Sequence, residues 1–165
     1  MKKYYILLIV SVCMLFSIYG IEAQTPQTKL NQVELMKQFV GTWKNDVGKD
    51  TIDIWDCQQH ENAFVSTIHR LIHKKESFLL SENWVFSPRE EKFIGFTMLP
   101  SGNYMTWISS FIDENKWTGD YLFNYNTDEV IGKFELTLDT PTEITVTTFN
   151  KNGVRIRVKN WSKIK

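Results

Sequence analysis

Residues 130–159, VIGKFELTLDTPTEITVTTFNKNGVRIRVK, alternate apolar with polar side chains in three short runs, and turn-forming residues separate the runs. In the first run, Phe134, Leu136 and Leu138 alternate with charged and hydroxyl side chains. Successive side chains of a β-strand point to opposite faces, so a period of two places the apolar set on one face. The segment therefore predicts three consecutive strands joined by tight turns.

The same pattern extends back to Thr42. Turn-forming residues recur at nine places between residues 47 and 153, and the ten segments that they separate are short and rich in β-branched and aromatic side chains. That composition is typical of strands. Before them, Asn31 and Glu34 have the spacing of a capping box and predict a short helix. The sequence thus predicts one all-β domain, an antiparallel sandwich or barrel of about ten strands.

The middle strands, within residues 78–111, carry large apolar side chains on both faces. A sheet with one buried face does not need this pattern. Either the outer face of these strands is covered, or they meet the helix or a partner, or an apolar lumen and a well-packed exterior coexist. The sequence leaves these three arrangements open.

The composition excludes several classes of protein. The length of 165 residues fits one domain, and an aromatic content of 14% is too high for a disordered chain. Basic and acidic residues number 19 each, so the net charge of zero provides no footprint for nucleic acid. Two cysteines cannot form a disulfide scaffold. We expect Cys57 to be a buried thiol.

Residues 1–23 have the layout of a secretory signal peptide. Two lysines precede an apolar run at residues 6–19, and Ala23 is a small residue suited to the cleavage position. The run is shorter than the roughly 20 residues that span a bilayer. We therefore expect cleavage, a secreted or periplasmic protein, and no membrane span after cleavage. Residues 24–30 are then a flexible leader, and residues 31–165 form the barrel domain.

The tripeptide Gly-Thr-Trp at residues 41–43, which follows the short helix and opens the first strand, resembles the Gly-x-Trp signature of the lipocalin and calycin superfamily. Residues 84–96 also resemble a hairpin of lipocalin-like bacterial domains of unknown function. The resemblance implies a single antiparallel up-and-down barrel, with the N-terminal helix and Trp43 closing one end. It also implies a basic residue of the last strand that covers the tryptophan, for which the candidates are Arg155 and Arg157.

Two other kinds of barrel have a similar opening motif. Residues 41–48 are locally similar to the first strand of avidin-type biotin binders, in which Asn45 would match a ligand-binding asparagine. The later avidin pattern is not recognisable in this sequence. Nitrobindin-type haem proteins also begin with Gly-x-Trp, but that resemblance implies a histidine on a late strand, and the last histidine here is His73. We therefore expect no cofactor.

A barrel of this size either fills with side chains or encloses one small ligand. The aromatic load favours a cavity, so we predict binding of a small apolar or amphipathic molecule without catalysis. A ten-carbon chain buried there would contribute about 8 kcal/mol, at about 0.8 kcal/mol per methylene. His69 and Arg70 are neighbours on one strand, so one of them faces inward and supplies a polar contact. The predicted ligand-binding residues are Trp84, Phe96, Trp107, Trp117, Tyr121, His69 and Arg70.

No residue pattern in the sequence indicates an enzyme or a metal site. On a strand, His69 and His73 would lie about 13 Å apart, which is too far for them to hold one metal ion. The sequence has no nucleophile elbow, phosphate loop or dinucleotide fingerprint. The basic and aromatic mixture of residues 154–163 fits an exposed strand better than a nucleic-acid site. The alternative function is an interaction protein with a filled core, such as a protease inhibitor that inserts its leader into a target.

Overall fold

The computed structural model describes residues 29–165. The predicted signal peptide and residues 24–28 of the predicted leader lie outside the described residues. Lys29 forms an ion pair with Glu91, and Leu30 packs against the hydrophobic core. Contacts with the barrel therefore begin within the predicted leader. Among residues 29–165, no helix is long and apolar enough to cross a membrane.

The described chain begins with helix α1 (Gln32–Met36), which continues into a 3-10 turn (Lys37–Phe39). The side chain of Asn31 accepts a hydrogen bond of 3.1 Å from the backbone N–H of Glu34, which confirms the predicted N-cap. A helix of five residues is not stable alone in water. Its position is held because Phe39, at its end, is 1% exposed and packs among the aromatic side chains of the barrel.

Ten antiparallel strands form a closed barrel in which each strand pairs with its neighbours in the sequence. The last strand pairs with the first, so the predicted up-and-down barrel is confirmed. Such closure removes the free edges that would otherwise pair with other chains. The strands are β1 (Gly41–Gly48), β2 (Thr51–His60), β3 (Ala63–Ile72), β4 (Lys75–Ser87), β5 (Lys92–Met98), β6 (Tyr104–Asp113), β7 (Lys116–Phe123), β8 (Asn126–Thr140), β9 (Glu143–Asn150) and β10 (Arg155–Lys163).

The nine predicted turns coincide, within one or two residues, with the connections between these strands. Six of the connections have two residues each, and in two of these six both residues have positive φ. The angles are 48° and 66° at His73 and Lys74, and 47° and 61° at Asn124 and Tyr125. Two successive residues with positive φ are the geometry of a type I′ turn, whose twist matches that of the flanking strands.

The second apolar face of the middle strands lies on the outside of the barrel. Val85, Ile94 and Ile108 are cross-strand neighbours on β4, β5 and β6, and they form a row on that outer face. Cross-strand pairs of this kind stabilise a sheet even where they are only half-buried. On the inner face of β5, Phe93 is fully buried. The structure therefore has an apolar outer row, of which Val85 is 47% exposed, together with an aromatic interior, and of the three arrangements it is nearest to the third.

One end of the barrel is closed by α1, the 3-10 turn and Trp43, as predicted. The indole N–H of Trp43, a residue with no exposed surface, donates a hydrogen bond of 2.8 Å to the carbonyl oxygen of Phe39. The side chain of Gln32 makes two hydrogen bonds with the backbone of Phe111 on β6, of 2.7 and 3.1 Å. These bonds anchor the helix across the barrel end, because they satisfy polar groups that would otherwise be buried without partners.

The basic residue that lies over the ring of Trp43 is Lys163, with its Nζ 5.0 Å from the ring centroid. The prediction of Arg155 and Arg157 for this role is wrong. The register pairs Lys163 with Trp43 across the closing seam, whereas Arg157 pairs with Thr148 six residues away along β10. At ~3.3 Å per residue, that separation is about 20 Å.

Gly41, the first residue of the Gly-x-Trp motif, has a backbone conformation that requires glycine. Its φ is 128°, which L side chains rarely adopt. A Cβ atom there would also lie 2.5 Å from the carbonyl oxygen of Lys165. The motif is therefore a structural device that brings the chain end against the start of β1.

Candidate functional site

The barrel interior contains a cavity of about 130 Å³ on the open side of the aromatic core. Aliphatic side chains from β3, β4, β8 and β9 complete its wall, and Glu82, Thr148, Arg157 and Lys159 are its polar members. The exposed side chain of Arg157 marks the mouth of the cavity. Seven of the fifteen lining residues are aromatic, and they are Trp55, Trp84, Trp107, Trp117, Tyr121, Phe134 and Trp161.

The volume of this cavity limits the size of a ligand. An apolar protein cavity of about 150 Å³ binds benzene. A ten-carbon chain, considered above from the sequence, is much larger than that and does not fit into 130 Å³. The space suits one ring or a similarly compact group.

Four of the predicted ligand-binding residues line this cavity. They are Trp84 on β4, Trp107 on β6, and Trp117 and Tyr121 on β7. Their rings pack against one another, with centroids 5.7 Å apart for Trp84 and Trp107 and for Trp107 and Trp117. Such tilted and edge-to-face pairs are favourable and hold the rings in position. The structure therefore brings the aromatic part of the predicted site together.

Phe96 does not belong to the site. On β5 the inward positions are Phe93, Gly95 and Thr97, so Phe96 points to the exterior, where it is half-buried. The ring of Trp107 lies against Gly95, where a Cβ atom would be 2.5 Å from it. The prediction for Phe96 is wrong because the choice of inner face on a strand that is apolar on both faces depends on its register with β4 and β6.

Neither predicted polar residue of β3 lines the cavity. His69 points outward, and its Nδ1 lies 2.8 Å from Oε1 of Glu76. Arg70 shares the inner face with Ile68, but its guanidinium is bound to Asp53, with 2.7 Å from Nε to Oδ1 and 3.2 Å from Nη2 to Oδ2. The expectation that one of the two faces inward is confirmed, but that residue is committed to a structural ion pair.

Asp53 joins three strands where the barrel wall is weakest. The ladder between β1 and β10 includes two residue pairs, fewer than any other ladder of the barrel. Across this seam, Nζ of Lys159 on β10 reaches Oδ2 of Asp53 on β2, at 2.9 Å, while Arg70 of β3 holds the other side. Asp53 has no exposed surface. Burial raises its pKa, but the hydrogen bonds and charges of Arg70 and Lys159 outweigh burial and hold the pKa below its ordinary value.

Glu82 is a carboxylate inside the aromatic lumen. Its cross-strand neighbours, Ser66 on β3 and Thr97 on β5, each donate a hydroxyl hydrogen bond of 3.2 Å, one to each carboxylate oxygen. Burial raises the pKa of Glu82, and the two hydroxyls and the charge of Lys159 offset only part of that effect. The lumen is therefore not uniformly apolar.

The interior also contains the Cys57 thiol and the Tyr121 hydroxyl, and both groups are neutral at physiological pH. Burial, with a contribution from the Glu82 charge, raises the pKa of the Cys57 thiol to about 12. The same two causes raise the pKa of the Tyr121 hydroxyl above its ordinary value. Cys57 is 2% exposed, which confirms the expectation of a buried thiol.

Three tryptophans of the cavity wall carry indole N–H groups that have no hydrogen-bond acceptor among the described residues. They belong to Trp55, Trp84 and Trp117. By contrast, the indole N–H of Trp107 donates to Oγ1 of Thr97 at 3.2 Å. Most buried polar groups in proteins are paired, so three unpaired donors in one wall are unusual.

The cavity is also lined by Glu82, Trp55, Lys159 and Trp161, which the sequence patterns did not predict. A signal for Glu82 was present, because it lies between Leu80 and Trp84 at a spacing of two, which places all three side chains on one face. A carboxylate at an inward position of a strand is rare enough to mark a site. For Lys159 and Trp161 the sequence carried no comparable signal.

The chain matches no protein-family model and no curated protein. The resemblance to lipocalin-like domains therefore stays at the level of a motif and an architecture. A barrel fold supports many functions, so the function of this protein depends on the side chains of its lumen.

Proposed function

We propose that this protein binds one compact, ring-sized apolar or amphipathic molecule in its lumen, without a chemical step. The observation that carries the proposal is the cavity of about 130 Å³ with a mainly apolar wall in which seven residues are aromatic. Ligand sites are typically concave, mostly apolar and supplied with a few polar groups. Glu82, Arg157 and Lys159 are such groups here. For a ligand of this size we expect dissociation constants from about micromolar to millimolar.

The test of this proposal compares two neutral alcohols of different size. Benzyl alcohol is expected to bind with a stoichiometry of one, and decanol is expected to show no saturable binding, because ten carbons exceed the cavity. Isothermal titration calorimetry measures the binding, and quenching of tryptophan fluorescence reports its location. Wild-type protein that binds neither compound would contradict the proposal.

A matched pair of variants tests whether the alcohol binds in the lumen. Val146 lines the cavity, whereas Thr147, the next residue of β9, points outward. Val146→Phe fills the space and is expected to weaken benzyl alcohol binding at least tenfold. Thr147→Phe is the control and is expected to leave the affinity unchanged. Thermal unfolding of both variants checks that overpacking, which costs about 1–3 kcal/mol, has not unfolded the barrel.

The proposal includes export. Its support is the layout of residues 1–23, with basic residues, an apolar run and Ala23 in the order of a secretory signal peptide. Expression of the full chain in a secreting host is expected to yield a mature protein that begins at Gln24. Intact-mass measurement of the exported protein checks this, and retention of residues 1–23 in that protein would contradict it.

The alternative function is an interaction protein with a filled core. No contact within the described part of the chain favours it, and side chains leave a cavity in the barrel interior.

A further inference from the structure

Glu82 is a part of the lumen that binding of an apolar ring leaves unexplained, as are the three indole N–H groups without acceptors. It occupies an inward position of β4, between Leu80 and Trp84, and lines the cavity. A carboxylate in an enclosed aromatic site is costly unless another group pairs with its charge. A hydrophobic residue at this position would have served a purely apolar ligand better.

The hydrogen bonds around Glu82 show that the carboxylate acts as an acceptor. Thr97 accepts from the indole N–H of Trp107 and donates to Oε1 of Glu82, while Ser66 donates to Oε2. A carboxylate has about four lone-pair positions, and these two bonds use one on each oxygen. Glu82 can therefore accept further hydrogen bonds from a donor.

No lysine, arginine or histidine of residues 29–165 forms an ion pair with Glu82. Lys159, which lines the same cavity, lies 2.9 Å from Asp53, a carboxylate that it shares with Arg70, and it makes no direct ion pair with Glu82. Arg157 lies at the exposed mouth, where solvent screens its charge. Glu82 is therefore a carboxylate of the lumen that has no direct ion pair and keeps acceptor positions open to a ligand.

We infer that the lumen takes a compact organic cation, a protonated amine on a ring-sized apolar body, with its ammonium group bound at Glu82. This inference rests on the proposed function, because it uses the same cavity. The ammonium hydrogens satisfy the free acceptor positions of the carboxylate, and the two charges neutralise each other. The surrounding tryptophan rings add cation–π attraction. The apolar body of the ligand occupies the aromatic part of the cavity.

Three probes of equal size and different charge test the inference at pH 7. Benzylamine is a cation at this pH, benzyl alcohol is neutral, and benzoate is an anion. Benzylamine is expected to bind at least tenfold more tightly than benzyl alcohol, in line with the strength of a charged hydrogen bond in a buried site. Benzoate is expected to bind most weakly. Calorimetry measures all three affinities.

A charge-removing variant assigns the preference to one residue. Glu82→Gln keeps the shape of the side chain and is expected to abolish the preference for benzylamine while benzyl alcohol still binds. Glu135→Gln is the control, because Glu135 pairs with Lys116 on the outside of the barrel, and it is expected to retain the preference. We expect Glu82→Gln to fold, since it removes a buried charge that burial disfavours. A thermal unfolding curve verifies this.

The pH dependence of wild-type binding is a second readout that needs no variant. Because the pKa of Glu82 is raised, benzylamine binding strengthens as the pH rises through it, whereas benzyl alcohol binding does not. The charged or titratable groups that face Glu82 are Lys159, Arg157, Cys57 and Tyr121. The raised pKa values of Cys57 and Tyr121 keep both groups neutral below pH 8.

The possible outcomes separate this inference from the proposed function. If benzyl alcohol binds as tightly as benzylamine, the inference is wrong and the proposed function stands. If benzoate binds most tightly, the inference is wrong, and Arg157 and Lys159 recognise an anion instead. If the Glu82→Gln variant keeps the preference for benzylamine, the cation binds at another place, and the inference is wrong. If no probe binds, the proposed function fails together with the inference.

Discussion

Replacement of Asp53 by alanine lowers the free energy of unfolding by an expected 3–5 kcal/mol or so, the typical cost of removing one partner from a buried ion pair. Asp53 has no exposed surface and is bound by both Arg70 and Lys159. Its loss leaves two cations without their partner and removes the side-chain link between β2 and β10. That link lies where the β1–β10 ladder has already ended. Urea unfolding followed by tryptophan fluorescence measures the change.

The pH profile provides an independent check on Asp53. Its pKa is lowered in the folded state, so its contribution to stability is present above the ordinary aspartate pKa of about 4. This contribution is lost as the pH falls below that value, because protonation breaks both ion pairs. Wild type and Asp53→Ala are therefore expected to converge in stability at low pH. Parallel profiles down to the acid transition would contradict this role.

Asp46→Ala is the matched control for Asp53→Ala. Asp46 also pairs with a lysine, Lys44 at 3.0 Å, but its side chain is exposed. Ion pairs on the surface contribute about 0–1 kcal/mol, because solvent screens them. An equal loss of stability in both variants would show that burial and the position at the seam are unimportant.

Replacement of Trp117 by alanine is expected to have an effect of similar size, about 3–5 kcal/mol. The ring of Trp117 lies at the centre of the aromatic core, with neighbouring ring centroids 5.3–6.3 Å away on several elements. Those neighbours include Phe39 of the 3-10 turn at 5.7 Å, so Trp117 connects the closed end of the barrel with the cavity wall. Removing the Trp117 ring enlarges the cavity and deprives Phe39 of a packing partner. Urea unfolding measures the loss of stability.

Added indole provides a rescue test for the Trp117→Ala variant. Indole matches the side chain that was removed, so it is expected to fill the enlarged cavity and raise the melting temperature of the variant more than that of wild type. Phe123→Ala is the control, because Phe123 on the same strand is 55% exposed and its truncation is expected to cost little. If indole does not raise the melting temperature of Trp117→Ala, the cavity has collapsed, and the prediction that the wall keeps its shape without this ring is wrong.

Local pattern predicted the strands well because turn chemistry and the period of two act within a few residues. The alternation at Phe134, Leu136 and Leu138 and the turn at residues 150–153 both appear in the structure. The same reasoning selected Trp84, Trp107, Trp117 and Tyr121 as lining residues. It failed at Phe96 because both faces of that strand are apolar, and local sequence then contains no information about which face is inward.

The polar part of the site depends on contacts between residues far apart in the chain. Asp53 and Lys159 are 106 positions apart, and the bond between them depends on how β10 closes onto the start of the sheet. The same closure places Lys163, rather than an arginine, over Trp43. No periodicity within one strand determines such a register, because it depends on the number, tilt and stagger of all ten strands.

The sequence alone determines an all-β domain with a short helix, about ten strands and an aromatic interior. These features follow from side-chain spacing and turn residues. Tertiary structure alone decided the volume of the cavity, the pairing of Asp53, and the position of Glu82 without a cationic partner. These depend on how side chains from different strands share the limited space inside a closed barrel. The charge and size of any ligand are set by that shared space.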